Sequence, residues 1–288
     1  MTTMDTATAR FDVRSADGTT IAVWVEGDGP ALVMVHGSMQ DHTDSAALVG
    51  ELRAGVTTYA VDRRGFGASG DHQEYSLERE TEDVAAVVGE VAARTGGPVA
   101  LWGHSYGASC AMGAATLTTG VGRLLLYEPS LGLGYPPGWI ETYETMVAEG
   151  DREGATVMMF RDLLEFSDDQ IDAMWAGPEW SSRVAVAHTM AREARAEEGW
   201  IYRPGQFDRI TAPTMLLSGS DSTADIRRAT DAAAAAIPDA RIHVLQGHAH
   251  IAHRTHPAPG RRDRPGLHRR LKAERSTAHR SSASFWAE

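Results

Sequence analysis

Residues 98–115, PVALWGHSYGASCAMGAA, place a short apolar run directly before a G-x-S-x-G pentapeptide and an Ala-rich stretch directly after it. This pattern predicts a strand, a sharp turn and a helix, with Ser105 in the turn. Glycines two residues to either side of the serine would let the strand and the helix pass closely. Because such a turn lifts a serine hydroxyl above the edge of a sheet, Ser105 is the candidate nucleophile.

Aliphatic and β-branched runs alternate with helix-like segments along the chain, which predicts an α/β fold with a mostly parallel, eight-stranded sheet flanked by helices. The first two runs predict an antiparallel hairpin. The later runs predict buried parallel strands. The predicted strands are residues 11–14, 20–26, 31–35, 57–61, 99–102, 123–127, 214–217 and 241–245. A helical stripe predicts a helix over residues 77–94, with Ser76 as its N-cap.

The segment from residue 129 to residue 209 interrupts this alternation. It has helix-like stretches at 139–149, 154–166 and 181–198 and no convincing strand, which predicts a helical lid. The predicted domains are therefore a core formed by residues 1–128 and 210–257, the lid at 129–209, and a tail at 258–288.

Aromatic side chains of the predicted lid have two possible roles. Most aromatic residues at helical spacing pack a helix onto its neighbours. A few are expected to line an apolar substrate pocket below the lid. The predicted pocket residues are His36, Met39, Trp139, Tyr143 and Trp175.

A nucleophilic serine needs a base to accept its proton and an acid to orient that base. Asp221 follows the predicted strand 214–217, and we favour it as the acid. Glu128 follows the predicted strand just before the lid and is the alternative. His250 follows the last predicted strand and is the candidate base, with His248 and His253 close by in the sequence.

The group of histidines between residues 248 and 256 also raises the question of a metal site. No nearby cysteine or H-E-x-x-H pattern supports one, so we predict neither a metal nor a cofactor.

The predicted central strand ends in Val35-His36-Gly37-Ser38. The backbone N–H groups of Ser38 and Tyr106 are predicted to donate to a developing oxyanion. His36 is expected to brace this loop. The glycine-rich stretch 62–70 lacks the spacing of a phosphate-binding loop and is predicted to form a rigid turn at the edge of the site.

In their order along residues 10–257, these motifs resemble the α/β-hydrolase superfamily. The motifs are His36-Gly37-Ser38, the D-x-R-G-x-G-x-S turn at 62–69, the G-x-S-x-G pentapeptide at 103–107, Gly219-x-Asp221 and Gly247-x-x-His250. The resemblance implies that Ser105 attacks a carbonyl, His250 relays the proton and Asp221 orients His250. The spacing Gly247-x-x-His250 is what selects His250 among the histidines. A serine nucleophile disfavours the dehalogenase and epoxide-hydrolase branches, which use aspartate.

The resemblance therefore implies a serine hydrolase that cleaves an ester, thioester or related acyl bond of a small, fairly apolar molecule through an acyl-enzyme. Two alternatives remain open at this stage. One is a ligand-binding or catalytically impaired hydrolase-like protein. The other is a C–C bond hydrolase built on the same frame.

The formal charge of −12 and the pI near 5.4 oppose a nucleic-acid or anionic-membrane partner, which leaves a small-molecule acyl substrate as the expected partner. One cysteine, no recognisable leader and no long apolar run lead us to expect a reduced, cytoplasmic location. The sequence does not specify an oligomeric state.

The tail, residues 258–288, has no apolar periodicity and holds eight Arg or Lys residues against three acidic ones. We hypothesise that it is either a disordered basic appendage or the product of a shifted reading frame.

Overall fold

A computed structural model describes residues 9–254 of the 288-residue chain. Eight strands form one sheet in the order β1-β2-β4-β3-β5-β6-β7-β8. In chain order they are β1 (Ala9–Arg14), β2 (Thr20–Glu26), β3 (Ala31–Val35), β4 (Thr57–Val61), β5 (Val99–His104), β6 (Val121–Tyr127), β7 (Thr214–Gly219) and β8 (Arg241–Leu245). The predicted α/β class is confirmed, and the predicted bounds of β2, β3, β4 and β8 match those observed.

Of the eight described strands, only β2 runs against the rest of the sheet. β2 pairs antiparallel with β1 and with β4, whereas every pair from β4 to β8 is parallel. The carboxyl ends of β3, β5, β6, β7 and β8 therefore meet at one edge. The loops that leave this edge contain every residue predicted to take part in the chemistry.

Helices cover the sheet as the alternating pattern predicts. Those outside the segment between β6 and β7 are α1 (Ala46–Leu52), α2 (Leu77–Thr95), α3 (Tyr106–Leu117) and α9 (Ala224–Ala236). Ser76 caps α2 as predicted, since its side chain accepts a hydrogen bond from the Arg79 N–H. The valines of α2 and the alanines of α3 share one core cluster with the inner strands.

Five helices lie between β6 and β7, and we call them the helical insertion. They are α4 (Trp139–Ala148), α5 (Arg152–Asp162), α6 (Asp168–Trp175), α7 (Trp180–Ala185) and α8 (Ala187–Glu197). The insertion has an apolar cluster of its own, which includes Tyr143, Met159 and Met190. The helix α6 was not predicted, and the stretch predicted at 181–198 divides into α7 and α8.

Two further expectations concern the basic tail and the absence of a membrane-spanning segment. The tail at 258–288 falls outside the described residues. Across residues 9–254, no helix has both the length and the apolar character needed to cross a membrane.

Candidate active site

Ser105 occupies a strained turn between β5 and α3. Its backbone has φ 54° and ψ −125°, a conformation that costs a non-glycine residue on the order of 1–3 kcal/mol. Three backbone hydrogen bonds hold the turn. The Ser105 N–H donates to the Tyr127 carbonyl at 2.9 Å, and its own carbonyl accepts from the N–H groups of Ala108 and Ser109. The predicted strand, turn and helix are thus all present.

The two glycines of the pentapeptide permit close backbone contact. A Cβ on Gly103 would lie 2.5 Å from the Gly107 carbonyl oxygen and 2.6 Å from the Ala108 Cα. A Cβ on Gly107 would overlap the backbone oxygens of Val35 and His36. The start of α3 therefore rests directly on the end of β3, and this contact sets the position of Ser105 relative to the loop after β3.

We expect Gly107→Ala to lower the free energy of unfolding by about 2 kcal/mol or more, because the methyl group meets rigid backbone rather than a flexible side chain. Urea unfolding measures the change. Gly89→Ala is the matched control, since Gly89 is exposed on α2 and has open space around its Cα. That variant should be more stable than wild type by about 0.5–1 kcal/mol. Equal stability of the two variants would contradict the packing argument.

The imidazole of His250 is held by Glu128. The Nδ1 atom of His250 lies 2.7 Å from Oε2 of Glu128, and both side chains are buried. Oε1 of Glu128 accepts a hydrogen bond from the Gly219 N–H at 2.7 Å. A carboxylate in this position keeps the proton on Nδ1 and leaves Nε2 of His250 free to accept one.

The backbone of Glu128 explains how an acid at the end of β6 reaches the histidine. Glu128 has φ 46°, so its side chain leaves the strand in a direction that ordinary extended backbone does not allow. β6 is also the direct neighbour of β5, which ends at the nucleophile turn. These two features bring Glu128 between the ends of β5 and β7.

Asp221, the acid favoured from the sequence, does not contact His250. Its exposed carboxylate accepts a hydrogen bond from Ser220 Oγ at 2.8 Å. Its backbone N–H instead donates to the His248 carbonyl at 2.9 Å. The preference for Asp221 over Glu128 is therefore corrected: β7 supplies backbone donors to this region, and β6 supplies the carboxylate.

The loop that holds His250 is anchored at several points. The Tyr127 hydroxyl donates to the Ala249 carbonyl and accepts from the Ala252 N–H at 3.2 Å. The His250 carbonyl oxygen lies 2.8 Å from Nε2 of His104. Burial lowers the pKa of His104 well below its usual range, so this ring is neutral at physiological pH. These contacts fix the position of the loop that contains His250.

The neighbouring histidines occupy other environments. His248 is exposed at the surface of the loop. The side chain of His253 is buried, and its Nε2 atom lies 3.4 Å from Asp44. Within residues 9–254, no cluster of three or more His, Cys, Asp or Glu side chains could hold a metal ion.

The loop after β3 packs against Ser105. A Cβ on Gly37 would lie 3.0 Å from the Ser105 Cβ, so the loop and the serine are in close contact. Gln40 accepts from the Gly37 N–H at 2.7 Å, and Arg63 donates to the Gly37 carbonyl at 3.1 Å. His36 accepts from the Arg63 N–H at 3.0 Å, which is the bracing role expected for it.

Arg63 connects this loop to the helical insertion. Its buried guanidinium pairs with Glu80 of α2 at 2.8 Å and with Glu193 of α8 at 2.6 Å. Ion pairs with these two acids hold the pKa of Arg63 above its usual range despite its burial. One side chain therefore links the loop after β3, the core helix α2 and the insertion.

Ser105 and His250 open onto a cavity of about 330 Å³. Ser38, whose N–H is a predicted oxyanion donor, lines the same cavity. Tyr106, the second predicted donor, begins α3 immediately after Ser105. The apolar walls come from the loop after β6 and from the helical insertion, namely Leu133, Tyr135, Pro136, Met159, Phe160, Leu163, Leu164 and Met190.

The five residues predicted to line the pocket do not line this cavity. Trp139 and Tyr143 stack on each other with ring centroids 5.0 Å apart inside the insertion. His36 and Met39 are buried within the loop after β3, and Trp175 stacks on Trp180 with 47% of its surface exposed. The helical spacing of Trp139, Tyr143 and Trp175 reflects the packing of the helices against one another. The cavity residues between 130 and 136 lie in a loop, where no periodicity could have marked them.

One buried acid lies in the cavity wall. Glu197 accepts hydrogen bonds from Ser130 at 2.5 Å and from Tyr135 at 3.1 Å. Burial raises the pKa of Glu197 to about 7, against the lowering effect of these hydrogen bonds. This polar end of the cavity was not predicted from the sequence.

A model of the alpha/beta hydrolase family matches residues 32–259. The chain therefore belongs to that family and is an enzyme of the hydrolase type. A solved alpha/beta hydrolase from Sphaerobacter thermophilus is 32% identical, with 82% of this chain and 92% of that chain covered and a TM-score of 0.72.

Two further similarities are more limited. An esterase from Exiguobacterium antarcticum shares 18% identity over 96% of this chain and 99% of its own, with a TM-score of 0.71. At that identity, the similarity concerns the fold. A curated relative from Mycobacterium tuberculosis, the probable oxidoreductase EphD, is 35% identical over 100 residues, which make up 33% of this chain and only 17% of that protein.

Proposed function

We propose that this hydrolase cleaves an ester or thioester bond through a triad of Ser105, His250 and Glu128. The single observation that carries the proposal is the 2.7 Å contact between the buried Glu128 carboxylate and Nδ1 of His250, in a loop that lines one cavity with Ser105. The roles follow from this geometry. His250 accepts the serine proton at Nε2, and Glu128 stabilises the imidazolium that forms.

The attack of the Ser105 oxygen on the substrate carbonyl places negative charge on the carbonyl oxygen. We assign the stabilisation of that charge to the backbone N–H groups of Ser38 and Tyr106. The contact between Gly37 and Ser105 supports this assignment, because it fixes the loop that contains Ser38 beside the nucleophile. Collapse of the intermediate expels the alcohol or thiol, which takes the proton from His250.

The acyl-enzyme is then hydrolysed by the reverse use of the same groups. His250 removes a proton from water, and the hydroxide attacks the acyl carbonyl on Ser105. The acid product leaves, and Ser105 regains its proton from His250.

The substrate that fits this site is small and mostly apolar. A cavity of about 330 Å³ lies at the lower end of the volume range of small-molecule sites. Met159, Phe160 and Met190 of the helical insertion form much of its apolar wall. We propose that the insertion acts as a lid that excludes water from the acyl pocket.

Hydrolysis of p-nitrophenyl acetate, butyrate and octanoate by the purified protein tests this function. We expect release of p-nitrophenol from these esters, because a cavity of this volume has room for their acyl groups. Tight binding of such esters without turnover would contradict the proposal and would indicate a binding protein built on a hydrolase fold.

A further inference from the structure

Three charged side chains meet where the helical insertion contacts the loop after β3. Arg183 of α7 is buried, donates to the Met39 carbonyl at 3.1 Å and pairs with Asp44 through Nη2. Arg254 lies 3.3 Å from the same carboxylate through its Nε atom. We call Arg183, Asp44 and Arg254 the arginine cluster.

The arginine cluster has more positive than negative charge. Its two guanidinium groups share the single carboxylate of Asp44. His253 also faces Asp44, but burial lowers the pKa of His253, so the ring contributes no cation near neutral pH. One positive charge of the cluster is therefore not balanced within it.

The hydrogen bonding of the arginines is incomplete as well. The Nε atom of Arg183 is buried without a hydrogen-bond partner among the described residues. The contact of Arg254 with Asp44 is long for a charge-assisted hydrogen bond, which usually spans about 2.7–2.9 Å. A partly desolvated cation with incomplete pairing gains free energy when an anion binds beside it.

Both arginines line the cavity that contains Ser105 and His250. Four acidic residues of the described part of the chain also line this cavity, but none of them pairs with Arg183 or Arg254. Each is bonded to another residue or is exposed to solvent. Glu197 is bonded to Ser130 and Tyr135, and Asp225 pairs with Arg228 at 2.9 Å. Asp162 accepts from the Trp139 indole, and Glu165 is exposed.

We propose that the acyl substrate carries a carboxylate, which the Arg254 guanidinium binds while Arg183 supplies a fixed positive charge behind it. The inference rests on the proposed function, since it names the substrate class of the same site. Arg183 is bonded to the residue after Ser38, and Arg254 stands four residues after His250. The anion site therefore adjoins the reacting groups, which suits a half-ester of a short dicarboxylic acid.

The test compares two esters of similar shape. Methyl hydrogen glutarate carries a carboxylate where methyl 5-methylhexanoate carries an isopropyl group. We expect kcat/KM for the half-ester to exceed that for the neutral ester by about tenfold or more, as one charge-assisted pair would provide. Arg254→Gln should reduce this ratio at least about tenfold, and Arg254→Lys should reduce it less because the charge is retained.

Arg94→Gln is the matched control. It also removes one positive charge, from an exposed side chain of α2 that pairs with Glu90 and does not line the cavity, and the substrate ratio should stay as in wild type. Equal kcat/KM for the two esters, or a preference that survives in Arg254→Gln, would overturn the proposal. Urea unfolding establishes that each variant is folded.

Direct binding separates this inference from the proposed function. Calorimetric titration of glutarate into the Ser105→Ala protein should show binding that the additional Arg254→Gln substitution weakens at least about tenfold. This result would support the anion site even if neither ester were hydrolysed. Hydrolysis of the neutral ester together with no glutarate binding would refute the anion site and leave the hydrolase function intact.

Discussion

Ser105→Ala is expected to lower kcat/KM for p-nitrophenyl butyrate by about 10⁴-fold or more, because it removes the hydroxyl that we propose forms the acyl-enzyme. Any residual rate would come from binding and from the backbone donors alone. Initial rates at several enzyme concentrations measure the loss. Ser181→Ala, at an exposed position of α7, is the control and should keep wild-type activity.

The strained backbone at Ser105 adds a second readout. Glycine adopts a positive φ without the penalty that Cβ imposes, so Ser105→Gly should be more stable to urea than Ser105→Ala by about 1 kcal/mol. Both variants should be inactive. Activity that persists in either variant would show that another group is the nucleophile.

Glu128→Gln is expected to lower kcat/KM by about 10³- to 10⁴-fold, through the protonation state of His250 rather than through lost packing. The Gly219 N–H donates to Oε1 of Glu128, so the amide oxygen of the glutamine would take that position. The amide would therefore present its NH₂ group to Nδ1 of His250. That contact favours the tautomer with the proton on Nε2, which cannot accept the serine proton.

Asp221→Asn is the matched control for this substitution, since it also converts an acid to its amide. Its side chain is exposed and bonded to Ser220, and its backbone N–H contact with His248 is unchanged by the substitution. We expect less than about a threefold change in kcat/KM. A larger loss in Asp221→Asn than in Glu128→Gln would restore Asp221 as the acid.

The sequence was most informative where local chemistry determines structure. Buried parallel strands are continuous apolar runs with turn residues at their ends, and β3 and β4 were placed to the residue. The bounds of β8 were also predicted correctly, but the expectation that it is buried was wrong, because β8 is the edge strand of the sheet and most of its residues are exposed. The nucleophile turn was equally clear, because Gly103 and Gly107 are required by backbone contacts that a Cβ would prevent. Ser76 was predictable as a cap because its hydroxyl satisfies an N–H of the first turn of α2.

The choice of acid depended on features that no local pattern encodes. Glu128 and Asp221 both follow strands that end at the same edge of the sheet, and each could in principle face a histidine there. What distinguishes them is the positive φ of Glu128 and its hydrogen bond to the end of β7. Both features are known only once the strands are assembled.

The pocket was missed for a related reason. Aromatic residues at helical spacing mark the face that packs against other helices, so Trp139 and Tyr143 stack inside the helical insertion. The cavity instead receives side chains from the irregular loop after β6 and from charged residues such as Arg183 and Glu197. Their ion pairs and hydrogen bonds join parts of the chain that are far apart in sequence.

The most direct test of the central claim is to identify the residue that a fluorophosphonate modifies. Peptide mass spectrometry after brief treatment should find the phosphonyl group on Ser105, with much slower labelling in Glu128→Gln and unchanged labelling in Asp221→Asn. This result would establish an activated serine that depends on Glu128. Absence of label on Ser105, or labelling at an equal rate in Glu128→Gln, would contradict the proposed triad.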